Sequence, residues 1–292
     1  MHDFAAGGRR PWVCYSAWIF GFTASGCAAV DVSDADFGEL PAGWEVHLEL
    51  SPSPPWVGVD TTARISVTEN GSPVQDLQAT HERIVHTFLV PRDLSSFRHV
   101  HQEDLSPITA ENLANGQFAF PVRFETSGDY LFAFDYAARN VYRSDRSWVT
   151  VGGDAPQAVA ADLEPSSEAV VGDVTAALTW DVPPIAGAPS AFRVSYAHDD
   201  GSPVTDLVPW LGADAHAALF LGDATWNGHT HAYAPGMENA PPGHEMPHLY
   251  SGPEVPFRVT FPSMGAYKLW VQVAREASPE RAITAAFVIE VE

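Results

Sequence analysis

The residues whose types and spacing point to chemistry are histidines. His86, His99 and His101 recur at an offset of 130 as His216, His229 and His231, so each half of the chain carries H-x12-H-x-H. With 12 histidines in 292 residues, a fixed shift aligns about half a pair by chance over the whole chain. Three pairs align between residues 86 and 101 alone. On a strand His99 and His101 share a face, and a hairpin through Pro91 to Phe97 lays the strand of His86 alongside, so three imidazoles can converge. Imidazole nitrogen is a common ligand of zinc and copper. A metal site is therefore expected on each hairpin, weakening as pH falls through about 6.5, where protons compete for neutral imidazole. The competing reading is that the same rings only hydrogen-bond locally and fix the hairpin.

The second copy carries extra length after its hairpin, and within it lie Met237, His244, Met246 and His248. Thioether beside imidazole favours copper, the cuprous ion above all, over zinc. Copper is thus the first choice of metal and zinc the second, with a Pro-Gly loop whose methionines pack on the surface as the alternative. The first copy has Gln102-Glu103-Asp104 at that point, oxygens without sulfur. Two sites, if both bind, are expected to differ in affinity and in metal.

The elements that must carry these side chains repeat as well. PPWVG at Pro54 is matched by PPIAG at Pro183, and GSPVQDL at Gly71 by GSPVTDL at Gly201. Phe120, Phe124, Gly128 and Tyr130 are matched by Phe257, Phe261, Gly265 and Tyr267. Short runs alternate apolar and polar residues, as in Trp44 to Leu50, and are broken by Gly, Pro, Asn and Asp. That pattern reads as half-buried strands. An all-β fold of two tandem immunoglobulin-like antiparallel sandwiches is expected, with NGSP and DGSP as tight turns and Tyr130, Phe132 and Phe134 facing a core. The expected layout is a signal segment over 1–27, an acidic tether over 28–43, repeat 1 over 44–152, a linker over 153–167 and repeat 2 over 168–292.

Composition limits the partners. A formal charge of -22 and a single lysine, Lys268, exclude a nucleic-acid binder, which needs clustered cations. Arg9 and Arg10 precede an apolar stretch that ends in Ala24-Ser25-Gly26-Cys27, the form of an export signal. The ASGC ending resembles a lipobox, with Cys27 as the lipidated residue. The chain is then exported to the cell envelope, periplasm or surface, with the membrane touched only through a lipid anchor. Processing would remove Cys14 and leave no internal disulfide.

The hairpin resembles that of exported bacterial YtkA-like, immunoglobulin-like lipoproteins, whose pattern is H-L-x-V-x-x-x-D-L-x-x-F-x-H-x-H-P. His86, Leu89, Asp93, Leu94, Phe97, His99 and His101 match it, with Gln102 in place of proline, and Gly252 to Gln272 match the pattern that follows. The resemblance covers both repeats. It implies an Ig-like fold, an envelope location and, from some relatives, copper handling. No enzyme is expected, although Glu103 or Glu245 could serve as a base beside an open metal. The alternative to metal binding is a metal-free adhesion or assembly module that presents its sheets to another envelope protein.

Overall fold

In the computed structural model the described residues are 43–80, 83–154, 163–232 and 248–292. Repeat 1 runs through β1 (Trp44–Ser51), β2 (Thr61–Glu69), β3 (Ser72–Pro73), β4 (Leu77–Gln78), β5 (Val85–Pro91), β6 (Arg98–Val100), β7 (Gln117–Val122), β8 (Gly128–Ala138) and β9 (Val141–Val151). A 3-10 turn at Gln102–Asp104 and one short helix, α1 (Ala110–Asn115), lie between β6 and β7. Repeat 2 comprises β10 (Glu168–Val171), β11 (Val174–Val182), β12 (Pro189–His198), β13 (Leu207–Val208), β14 (His216–Leu221), β15 (Asn227–His231), β16 (Glu254–Thr260), β17 (Gly265–Arg275) and β18 (Ser278–Val291).

Each repeat is a pair of antiparallel sheets. In repeat 1 the order β1-β2-β7 faces β6-β5-β8-β9; in repeat 2 the order β10-β11-β12-β16 faces β15-β14-β17-β18. The alternation expected of half-buried strands is present in β1 and β16, whose residues switch between buried and exposed along the strand. Their inward side chains close one core per sandwich. Ile65, Phe118, Phe132 and Phe134 fill the first, and Phe192, Phe257, Leu269 and Val271 the second. Tyr130 and Tyr267 stand near the start of β8 and β17 and donate their hydroxyls back to the carbonyls of Thr126 and Ser263, at 3.2 and 2.9 Å. This is the tyrosine corner of Ig-like sandwiches, present in both copies.

The turns explain the one-residue slip between the copies. Asn70 and Gly71 both have positive φ, 51° and 76°, as a two-residue type I′ hairpin requires. In the second copy Gly201 N donates to His198 O and His198 N to Ser202 O, so a longer loop with a single left-handed glycine replaces it. Ser166 N donates to Val288 O and Leu178 N to Ser167 O, so the chain is already docked on repeat 2 before β10 begins.

One group of strands departs from the half-buried expectation. β5, β8, β14 and β17 are covered on both faces. Their outward side chains, Phe88, Val90, Leu131 and Ala133 from repeat 1 and Ala218, Phe220 and Trp270 from repeat 2, form a third core between the sandwiches. Phe97 stacks on Trp270 across this seam at 5.1 Å between ring centroids. Each large apolar side chain removed from water there contributes about 1.5–3 kcal/mol before ordering costs. The histidine hairpins lie at this seam. The signal reading, with Cys14 and Cys27, lies outside the described residues. Among those described, no helix is long and apolar enough to cross a membrane.

Candidate metal centre

β5 and β6 are paired with Phe88 opposite His99, so His86, one pleat along, projects from the same outward face as Phe88 and meets the end of β6, where His101 follows. In repeat 2 the register places His216 opposite His231 and Ala218 opposite His229. The three rings of each repeat converge as expected. His86 Nδ1 lies 2.9 Å from His101 Nε2 and 3.3 Å from His99 Nε2, and His216 Nδ1 lies 3.2 Å from His229 Nε2.

The two hairpin sites expected from the sequence adjoin each other. The outward faces of the two hairpins meet at the seam, so the six rings form one cluster about a local two-fold axis. Matching contacts have nearly equal centroid distances: 4.5 Å for His86–His101 against 4.6 Å for His216–His231, and 5.5 Å for His86–His99 against 5.4 Å for His216–His229. Across the axis, His86–His229 is 5.3 Å and His99–His216 is 5.2 Å. Two groups have donor atoms all within 4.8 Å of one another, His86/His99/His229 and His216/His229/His231, and the first spans the seam. Both triads could hold a metal ion. His86, His101, His216 and His231 are buried.

The surroundings orient the rings. His86 Nε2 lies 2.9 Å from Thr80 O, and His216 Nε2 lies 2.7 Å from the equivalent carbonyl, Trp210 O. A carbonyl can only accept, so these nitrogens carry the protons and each Nδ1 turns a lone pair inward. His101 Nδ1 donates to Asp104 Oδ2 at 2.7 Å, and His99 Nδ1 donates to Gln272 Oε1 at 3.3 Å across the seam, which leaves Nε2 of each as the inward acceptor. Two lone pairs then face each other over 2.9 Å between His86 and His101. Such a contact repels unless a cation lies between the nitrogens. Ligated imidazoles elsewhere pass their second N–H to a carbonyl or carboxylate in just this way. Nitrogens each about 2.0–2.1 Å from one tetrahedral zinc stand about 3.4 Å apart, close to the separations found here.

A proton on the rings is disfavoured in that role. Burial lowers His86 to about 4 from 6.5. His99 and His101 are held well below 6.5, by burial first and then by neighbouring imidazoles. The expected titration near 6.5 is therefore displaced in the folded chain, because a charged imidazole is poorly solvated in this chamber. Asp135 on β8 is the two-fold counterpart of Gln272 and stands 3.8 Å from His229 Nδ1. Burial raises its carboxyl to about 7, with Ser144 and Arg146 pulling the other way.

Other expected ligands stand apart. His248 is exposed, and its polar contact is with Asp214, at 3.4 Å, rather than with any of the six rings. Met237, His244, Met246 and Glu245 lie outside the described residues. Glu103 accepts from Ile84 N at 2.7 Å and so braces the backbone ahead of β5. The residues that sequence reasoning missed are Thr80, Asp135, Trp210 and Gln272, while Asp104 was expected only as an oxygen beside the hairpin. A signal existed for two of them: Asp135 and Gln272 each put a polar side chain into an otherwise apolar strand at equivalent places in the two copies.

One family model matches the chain twice, over residues 42–153 and 169–292, and is described as a domain of unknown function, DUF8832. No curated protein matches the chain. Among solved structures, the chain is similar to an Escherichia coli adhesin, FdeC, at 11% identity and a TM-score of 0.25, covering 87% of this chain and 66% of that one. It is similar to E. coli alpha-2-macroglobulin at 12% identity and a TM-score of 0.26, over 85% and 17%, and to a Parabacteroides merdae beta-glucuronidase at 12% and 0.22, over 85% and 24%. The chain thus spans less than two thirds of each. Likenesses this distant carry neither fold nor function.

Proposed function

The chain belongs to the DUF8832 family in two copies, and we propose that it is an exported metal-binding protein of the cell envelope that holds its metal between those copies. The observation that carries this reading is the set of inward lone pairs: nitrogens of His86, His99 and His101 lie 2.9 and 3.3 Å apart with their other ring nitrogens bonded to a carbonyl, an amide or a carboxylate. Copper is the proposed metal and zinc the second choice. The all-imidazole donors suit either; the preference for copper is supported by the sequence, through Met237 and Met246 and the YtkA-like resemblance. Export and a lipid anchor on Cys27 are proposed from the sequence of residues 9–27. No catalytic role is proposed. Burial of the cluster favours retention of the ion over rapid hand-off, since four of the six rings have almost no contact with solvent.

The test is titration of the purified protein with zinc, cupric and cuprous ions, beside a variant carrying His86→Ala and His101→Ala whose fold is checked by circular dichroism. Tight binding in the parent, with the part that depends on His86 and His101 lost or weakened at least tenfold in the variant, is expected. Affinity no greater than that of an unrelated histidine-containing protein would overturn the proposal and leave the sandwiches as an adhesion or assembly module.

A further inference from the structure

Building on the metal reading above, we infer that the chamber is a dinuclear centre, in which His86, His99 and His101 hold one ion and His216, His229 and His231 hold a second beside it across the seam. Three features separate two ions from one. The shortest nitrogen separations, 2.9 and 3.3 Å in the first triad and 3.2 Å in the second, lie within a repeat, while His229 also comes within 4.8 Å of His86 and His99 across the seam, as adjoining coordination shells do. A single ion serving all six rings would need six imidazole ligands, whereas zinc and copper sites in proteins are usually built from about four ligands.

The second feature is that each triad has its own orienting shell. His86 is turned by Thr80 O and His216 by Trp210 O. The third is a carboxyl group beside each triad, Asp104 on His101 at 2.7 Å and Asp135 near His229 at 3.8 Å. Both come from repeat 1, so the second ion is completed only when the repeats are docked. Three nitrogens per ion leave a coordination position open on each. The triads approach to 5.2 and 5.3 Å between ring centroids, which brings the two ions close enough to share a small bridging ligand of the hydroxide class.

The test is a cupric titration of the full chain read by bound stoichiometry and by electron paramagnetic resonance. Two equivalents per chain and a half-field transition from a coupled pair are expected. Variants with His86→Ala plus His101→Ala, or His216→Ala plus His231→Ala, should each keep one equivalent and lose the half-field signal. One equivalent in the parent with the spectrum of an isolated ion would overturn the pair while leaving the metal reading intact, as would two equivalents without coupling. No binding of any ion would overturn both.

Discussion

Removing metal and lowering the pH should unfold this protein over a range where most acidic proteins are still stable. An unfolded histidine titrates near 6.5, whereas His86 in the folded chain stays neutral down to about 4 and His99 and His101 are also held well below 6.5. Between those limits the unfolded chain binds protons that the folded chain refuses, so stability present above 6.5 is lost as pH falls. Asp135 acts in the opposite sense. Its folded value of about 7 against 3.8 unfolded means that the folded chain holds one extra proton, a contribution present at low pH and lost as pH rises through 7. For these four groups, up to three protons less one leaves at most two, or at most about 2.7 kcal/mol per pH unit and about 3 kcal/mol between pH 6.5 and 5.0, since the unfolded histidines are only half protonated at 6.5. That is a large share of a typical folding free energy of about 5–15 kcal/mol.

Urea unfolding of the chelator-treated protein at intervals across that range measures the slope directly. His99→Leu should make it shallower, and Asp135→Asn steeper, each by up to about 1.4 kcal/mol per pH unit, since each removes at most one proton from the balance. A slope that neither substitution changes, or a stability that rises between pH 6.5 and 5.0, would refute the reasoning that the chamber keeps its imidazoles neutral.

Two further outcomes are expected. Asp104→Asn leaves His101 in place but removes the carboxylate that fixes its Nδ1 proton at 2.7 Å; metal affinity should fall about 10- to 100-fold with the fold intact, and unchanged affinity in a competition titration would count against His101 as a ligand. Phe88→Ala removes a buried ring packed 4.5 Å from His99 and 4.8 Å from His229 between centroids; thermal or urea unfolding should show a loss of about 3–5 kcal/mol, accompanied by weaker metal binding, because the same ring supports imidazoles of both repeats.

Much of this architecture was legible from residue order because strand geometry is local. The period-2 alternation of β1 and β16, the Asn70-Gly71 turn and the repeated H-x12-H-x-H spacing each depend on neighbours a few residues away, and each has its structural counterpart. Which side of the hairpin the histidines occupy was also implicit, since His86, Phe88 and Val90 alternate with residues committed to the core. What covers that side was not. β5 and β8 read as continuous apolar runs, VHTFLVP and YLFAFDYAA, a mark of strands buried on both faces. Nothing along the chain says whether the second cover is another molecule or the other repeat.

By itself, then, the sequence determined two sandwiches, each presenting three imidazoles beside an apolar outer face. Tertiary structure alone decided that those faces close on each other, with Phe88, Phe97, Phe220 and Trp270 driving the contact. The physical reason is that docking buries apolar area summed over residues far apart in the chain, and the two-fold relation between structurally equivalent faces then carries every histidine to the same axis. Asp135 and Gln272 acquire their histidine neighbours only in that arrangement, because His229 and His99 reach them from the opposite repeat.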